Sequence, residues 1–110
     1  MLFRSTTTLT ANRTITSTTG DITLDEVAGA YTLTLDSAAN ILVDDVVNIS
    51  GLTTDAIAET RFDGALSVAG NVDVDTATLD LNANMTTTNS GNMTVTHSGL
   101  ADVEIGRAHV

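Results

Sequence analysis

Apolar and polar residues alternate along most of this chain in short runs that are separated by Gly, Asn and Asp. Residues 70–75 read Gly-Asn-Val-Asp-Val-Asp, and residues 91–96 repeat the same pattern 21 positions later. Residues 20–25 show the same design earlier in the chain. A period of two is typical of a half-buried strand. Each copy therefore predicts a turn followed by one short strand with its apolar residues on a single face.

Strands this short cannot bury their apolar side alone, so each needs a similar strand above or below it. Residues 33–36 (Leu-Thr-Leu-Asp) and 79–82 (Leu-Asp-Leu-Asn) add a second similarity, 46 positions apart, a little over two coils of 21. Internal repeats of this length indicate a solenoid. We therefore predict an all-β fold: a right-handed parallel β-helix (β-solenoid) fragment of about five short coils, with Asn side chains at equivalent turns bonding the amide above. Stacked coils about 4.8 Å apart would form a rod of roughly 24 Å.

Residues 1–103 are predicted to form one solenoid unit with no evident cap at either end. Its least regular part is 52–63, where Thr54 and Asp55 could begin a short helix. The same stretch could instead be an insertion or loop that projects from one coil, or an irregular coil with strands around Ile57 and Phe62. The residue pattern leaves these alternatives open.

Residues 104–110 (Glu-Ile-Gly-Arg-Ala-His-Val) break the Thr-rich and Asn-rich composition of the preceding chain. All seven resemble the in-frame translation of a common DNA-sequencing adapter. We therefore expect a non-native tail, and a natural chain that is cut near Val103. The first residues lack the apolar segment of a signal peptide, so we expect any export signal to lie outside this sequence.

The composition limits which side chains can form the core and which partners the chain can bind. Hydrophobic residues make up 42% of the chain, but only three residues are aromatic, so we expect a narrow core of Val, Ile, Leu, Ala and Met. The chain has no cysteine, which excludes disulfides and thiolate sites. Its formal net charge of −10 disfavours nucleic acid as a partner. No apolar run reaches the roughly 18 residues of a membrane helix, so no membrane insertion is predicted.

The candidate site residues are acidic. Asp73 and Asp75 alternate with valines and should point outward on one face, and Asp80 would continue that stripe one strand later. These three are weak candidates for a calcium site, which needs six to eight oxygens from a preshaped loop. No EF-hand pattern is present, a solvated face explains the acids equally well, and we predict no cofactor.

No constellation of catalytic residues stands out. Asp44-Asp45 and His97 fit turns better than an acid–base pair or a metal ligand. A glycosidase needs two carboxylates at a set distance in a cleft, and lyases of this fold usually add basic residues, which are scattered here. We therefore predict no catalytic site and no enzyme.

Residues 70–74, 79–87 and 91–95 resemble the repeats of filamentous-haemagglutinin-like proteins and autotransporter passengers, which are long bacterial surface or secreted proteins built on right-handed parallel β-helices. The resemblance is clearest over 64–103 and weaker over 5–51. It implies a structural or adhesive segment of a large exported protein, extracellular or on the cell surface. The implied partners are flanking coils of the same chain, host-surface or matrix ligands, or other copies.

Two other functions stay open from the sequence. One is a carbohydrate-binding or carbohydrate-active β-helix segment of the tail-spike or lyase kind. The other is a small acidic β-domain that binds calcium.

Overall fold

The chain winds into a β-solenoid of about five coils, and all strand pairs in its described part are parallel. The computed structural model describes residues 7–83, 85–88, 91–99 and 101–103. No helix occurs among these residues, so none there is long and apolar enough to cross a membrane. The all-β solenoid prediction is confirmed.

Thirteen strands follow one another in the described part of the chain, and two of them are much longer than the rest. The strands are β1 (Thr7–Thr8), β2 (Arg13–Ser17), β3 (Ile22–Leu24), β4 (Val27–Ala28), β5 (Thr32–Ser37), β6 (Ile41–Val43), β7 (Val47–Ile49), β8 (Gly51–Phe62), β9 (Leu66–Val68), β10 (Val72–Leu81), β11 (Met85–Thr87), β12 (Met93–His97) and β13 (Ala101–Val103).

The strands form three faces. The first face stacks β2, β5, the first half of β8, the first half of β10, and β12. The second face stacks β3, β6, the second halves of β8 and β10, and β13. The third face is the five-stranded sheet of β1, β4, β7, β9 and β11. Each coil therefore passes once over every face before the next coil lies on it.

The coil length varies. Thr32 pairs with Gly51, Leu52 with Val72, Val72 with Met93, and Leu79 with Ala101, which are separations of 19, 20, 21 and 22 residues. The 21-residue spacing of the two Gly-Asn motifs is thus one value within a range.

Inward residues of successive coils lie on one another in rows and form one continuous core. Among the described residues the core is made of Leu, Ile and Val, with one Ala (Ala56), one Met (Met85) and one aromatic side chain, Phe62, which is fully buried. This is the narrow aliphatic core that the composition predicts. Its central row on the first face is Ile15, Leu35, Thr54, Val74 and Val95.

Of the alternatives left open at residues 52–63, the structure has the irregular coil with strands around Ile57 and Phe62 and neither the helix nor the projecting loop, because β8 runs through this stretch and crosses two faces. The irregularity lies between the first-face half and the second-face half of β8. Thr76 pairs with Ala56 but Thr78 pairs with Glu59, so β8 has one extra residue at this corner. Ile57 follows the inward residue Ala56 and therefore points outward, which leaves it 71% exposed.

Two of the sequence similarities join residues on different faces, so they are not coil repeats. Residues 20–21 lead into β3 on the second face, whereas residues 70–71 lead into the first-face half of β10. Likewise Leu33 lies on the first face and Leu79 on the second. The same local design recurs because each face needs a turn followed by an alternating strand.

Asn and Asp side chains join coils at two corners, but in a different way from the predicted amide ladder. Asn71 Oδ1 accepts a hydrogen bond from the backbone N–H of Asn92 at 2.9 Å, one coil further on. At the next corner Asn40 Oδ1 accepts from the Glu59 N–H at 3.0 Å. An Asp can serve equally well, since Asp21 Oδ1 accepts from the Asn40 N–H at 3.1 Å. The side chains thus satisfy backbone donors where the strands are interrupted.

Gly70 comes directly before Asn71 at the first of these corners. A glycine is needed there because the backbone of the preceding coil approaches closely. A Cβ atom at Gly70 would lie 2.5 Å from the Ser50 carbonyl oxygen, and one at Gly91 would overlap the Gly70 carbonyl oxygen. A side chain at either position would force adjacent coils apart.

We predict that Gly70→Ala lowers the free energy of unfolding by about 1–3 kcal/mol, since it overpacks a backbone contact. Gly20→Ala is the matched control, because no atom lies within 4 Å of its Cβ position. Urea denaturation of both variants measures the difference. Equal losses in the two would contradict the close approach at Gly70.

Buried hydroxyls fall into two kinds. Thr76 Oγ1 lies 3.0 Å from the carbonyl oxygens of both Ala58 and Thr78, between which its single proton is shared. Ser37 Oγ lies 2.9 Å from the Gly20 carbonyl oxygen. Thr54 and Thr60 are as deeply buried, but neither hydroxyl has a hydrogen-bond partner in the described part of the chain. A buried hydroxyl without a partner costs free energy.

Thr→Val substitutions should therefore change stability in opposite directions at two sites. Thr54→Val removes the unpaired hydroxyl between Leu35 and Val74, and we expect a gain of about 1 kcal/mol in unfolding free energy. Thr76→Val removes both corner hydrogen bonds, and we expect a loss of about 1–2 kcal/mol. Chemical denaturation reports both values, and the same sign at the two sites would refute the distinction.

Candidate functional site

An acidic row crosses the first face at right angles to its strands. Asp36 of β5 pairs with Asp55 of β8, and Asp55 pairs with Asp75 of β10. All three side chains are exposed. Neighbouring strands lie about 4.8 Å apart, so each carboxylate stands directly beside the next. We call Asp36, Asp55 and Asp75 the acidic row.

The row follows from alternation and register together. Each Asp follows a core position, namely Leu35, Thr54 or Val74, and therefore points outward. Because the strands are parallel and in register, equivalent residues of successive coils stack. Thr16 and Thr96 occupy the same position in the first and last coils, so the row is acidic only in the three central coils.

The sequence prediction found one member of this row and missed two. Asp73 and Asp75 do lie on the outward side of β10, as alternation predicts. Asp36 and Asp55 were not associated with them. Their separations of 19 and 20 residues carried the signal, but a fixed period of 21 does not align them.

Asp80 does not continue this stripe. It lies on the second face, beyond the corner in the middle of β10, where its Oδ2 is 3.9 Å from Arg61 Nε. The expectation that Asp73, Asp75 and Asp80 share one face is therefore wrong for Asp80. The corner separates it from the other two.

Although Asp55 is exposed, partial desolvation of its carboxylate by the neighbouring strands, followed by repulsion from Asp36 and Asp75, raises its pKa above the ordinary value of 3.8. Desolvation disfavours the charged form, and so do like charges on either side. The folded state therefore holds the Asp55 proton to a higher pH than the unfolded chain does. Ionisation of Asp55 within the acidic row therefore costs free energy in the folded state.

A second cluster, formed by Arg61, Asp63 and Asn82 on the second face, is held together by attraction rather than strained by repulsion. Asp63 Oδ1 accepts from Asn82 Nδ2 at 2.8 Å and from Arg61 Nε at 3.0 Å. The Asn82 bond, followed by the Arg61 bond and charge, holds the pKa of Asp63 below 3.8 although burial opposes this. The same carboxylate raises the pKa of Arg61. This cluster is half exposed, so its contribution to stability is small.

Neither cluster forms a metal centre. Within the described ranges no group of three or more His, Asp or Glu side chains is arranged to hold a metal ion. The acidic row offers a line of carboxylates on an open face, whereas calcium is surrounded by six to eight oxygens. The row can concentrate cations near the surface through its field.

The other residues considered from sequence occupy turns or strand ends. Asp45 lies between β6 and β7, and its Oδ1 accepts from the Val46 N–H at 2.7 Å. His97 ends β12, and its Nδ1 is 3.0 Å from the Gly99 carbonyl oxygen. These contacts orient the local backbone.

A shallow groove of about 290 Å³ lies where the third face meets the first. Uncharged and mostly small residues line it, among them Gly29, which has a φ of 137°. Asn48 and Ser50 are its polar members. The groove is thus chemically unlike the acidic row.

Comparison of the chain with family models, with curated proteins and with solved structures found no match.

Two Asp→Asn variants should shift the pH dependence of stability in opposite directions. The stability that protonation of Asp55 contributes is full below pH 3.8 and is lost as pH rises through its raised folded pKa. Asp55→Asn should therefore raise the melting temperature at pH 7 and flatten the decline of stability with pH above 3.8.

Asp63→Asn is the matched comparison. The stability from the Asp63 carboxylate is present above pH 3.8 and is lost as pH falls through its lowered folded pKa. We expect this variant to melt lower at pH 7 and to lose less stability on acidification. Thermal melts from pH 3 to pH 7 separate the variants, and identical profiles would rule out an electrostatic difference between the sites.

Proposed function

We propose that this chain is a structural segment of a large exported bacterial surface protein. In this role it is a rigid rod that spaces and displays other parts of that protein, and it catalyses no reaction of its own. The observation that carries the proposal is the unbroken stack of coils across three faces.

The stack supports a mechanical role because its hydrogen bonds run along the axis. Each coil is bonded to the next through both sheets, and the pairing extends from β2 to β12 on the first face. The aliphatic core follows the same axis from Leu9 to Met85. Bending such a rod would open backbone hydrogen bonds and core contacts together, so stiffness is expected of it.

The outer surface supports display among other rods. Asp36, Asp55, Asp73 and Asp75 give the first face a negative potential, and the chain as a whole carries −10. Such a charge keeps chains soluble and limits side-by-side contact between copies. The partners we propose are flanking coils of the same protein and host-surface or matrix ligands, with an extracellular or cell-surface location.

A rigid spacer should hold two points on its surface at one distance. Thr14 and Thr94 occupy the same outward row, four coils apart. Because the chain has no cysteine, Thr14→Cys with Thr94→Cys gives a clean doubly spin-labelled protein. Pulsed EPR should give a narrow distribution that corresponds to about 19 Å between the Cα atoms.

The control is the same pair in urea, where a flexible segment of this length spans roughly 50 Å with a broad distribution. A broad distribution without urea would exclude the spacer role. Location is tested with antibodies raised against the chain: binding to intact, unpermeabilised source cells is expected, and binding only after lysis would exclude surface display.

A further inference from the structure

The groove between the third face and the first lies where the coil of β7 and β8 is shorter than the coils on both sides. Three residues, 29–31, span this corner in the preceding coil, and three residues, 69–71, span it in the following coil. Between the same register positions this coil has only two residues, 49–50 against the preceding coil and 50–51 against the following one. A shorter connection takes a tighter path, so this corner is set back between its neighbours.

The lining of the groove agrees with this origin. Residues 28–30 of the preceding coil, residues 48–50 of the short coil and Ala69 of the following coil line it, and we call it the corner groove. The two flanking coils are two strand spacings apart, roughly 10 Å. The volume of about 290 Å³ is at the lower end for ligand pockets and suits a single ring better than a folded domain. Because β1 and β11 lie beyond the three coils on the same face, the groove is interior to the stack.

The backbone around the corner groove is already paired. β7 lies between β4 and β9. At the corner the Ser50 N–H donates to the Tyr31 carbonyl oxygen at 3.0 Å, and the Ala69 N–H donates to the Ile49 carbonyl oxygen at 2.9 Å. A peptide that binds by strand addition needs a free strand edge, and within the described ranges none borders this groove. Recognition of a ligand there falls to side chains.

Two polar side chains of the groove are available for this. Asn48 is exposed and Ser50 is half-buried, and neither side chain forms a hydrogen bond within the described part of the chain. Other Asn side chains are used by the fold, as Asn12 shows, since its Oδ1 accepts from the Thr32 N–H at 2.9 Å. An amide and a hydroxyl both donate and accept hydrogen bonds. The pair therefore matches a ligand that carries several hydroxyl groups.

Charge favours a neutral ligand. No charged residue lines the groove. The outward positions of the neighbouring third-face strands are also uncharged, namely Ala28, Ser67 and Thr86. The net charge of −10 repels anions, and cations are attracted to the acidic row on the first face.

An aromatic residue lies next to the groove. Tyr31 follows the lining residue Ala30 directly and is 40% exposed, whereas Phe62 is fully buried. An exposed aromatic ring offers an apolar surface on which C–H groups pack. A pyranose ring combines such C–H groups on one side with hydroxyl groups around its edge, so it fits both kinds of surface.

We propose that the corner groove binds a neutral sugar, one pyranose ring at a time. The Asn48 amide and the Ser50 hydroxyl form hydrogen bonds with its hydroxyl groups, and the Tyr31 ring packs on its C–H face. Two polar groups and one ring make few contacts, so we expect a Kd in the millimolar range. The inference gives a chemical class to the surface ligands proposed above, and it rests on that function only for the place where such sugars are met.

NMR titration of the isotope-labelled full chain tests the proposal. The probes are the methyl glycosides of glucose, galactose, mannose, fucose and N-acetylglucosamine, each added alone. We expect saturable shifts with one or more of them, confined to the backbone amide signals of residues 28–31, 48–51 and 69–70. N-acetylneuraminic acid is the anionic control and should give no such shifts, because the charge of the protein repels it.

Variants assign the contacts. Asn48→Ala should weaken binding about tenfold, since it removes hydrogen bonds that are made only with the ligand. Ser67→Ala is the matched control and should leave binding unchanged, because Ser67 is the exposed register partner of Asn48 on β9 but does not line the groove. Tyr31→Ala should also weaken binding, whereas Tyr31→Phe keeps the ring and should retain it. Thermal melts establish that all four variants are folded.

Several results would overturn the proposal. One is the absence of groove shifts with every neutral sugar, and another is binding that persists unchanged in both Asn48→Ala and Tyr31→Ala. Shifts caused only by N-acetylneuraminic acid, or by an extended peptide and no sugar, would overturn it as well. The EPR distance is measured without a sugar, so a rigid chain that binds none would remove this site and leave the spacer role standing.

Discussion

The parallel, in-register stacking of coils is the constraint on which the rest of the structure depends. Within each face, every residue lies on its equivalent in the coil before it, so its side chain stands directly beside the equivalent side chain of the neighbouring strand. Aliphatic residues gain from this arrangement, as Leu35 and Val74 show by being fully buried. A backbone atom that approaches closely is also repeated, which explains why Gly70 and Gly91 occur one coil apart.

The same register imposes a cost on the outer surface. Stacking that brings Leu35 into the core also brings Asp36 beside Asp55, and repulsion there adds to the desolvation that raises the pKa of Asp55. The second face avoids such repulsion at Asp63, since Arg61 and Asn82 both form hydrogen bonds to its carboxylate. Outward rows can therefore be repulsive or attractive while the inward rows remain equally well packed.

Period-two alternation was sufficient to predict short strands, a repeat and an aliphatic core, because inward positions are strongly apolar. It left residues 52–63 undecided, because apolar Ile57 lies at an outward position while polar Thr54 and Thr60 lie at inward positions, and β8 has an extra residue at the corner. It failed to assemble the acidic row, because coil lengths of 19 to 22 residues place Asp36, Asp55 and Asp75 outside any fixed period. The corner in β10 removed Asp80 from the predicted stripe for a similar reason.

Variable coil length is possible because the corners satisfy their own hydrogen bonds. Asn71 and Asn40 accept hydrogen bonds from N–H groups of the next coil. The Thr76 hydroxyl shares its proton between two carbonyl oxygens at the corner where the extra residue of β8 lies. Such side-chain bonds let one coil gain a residue without leaving buried backbone groups unpaired. The faces can then keep strict register while the corners differ. The inward rows therefore constrain the fold, and the outward rows and corners are where such a solenoid can change its surface without changing its core.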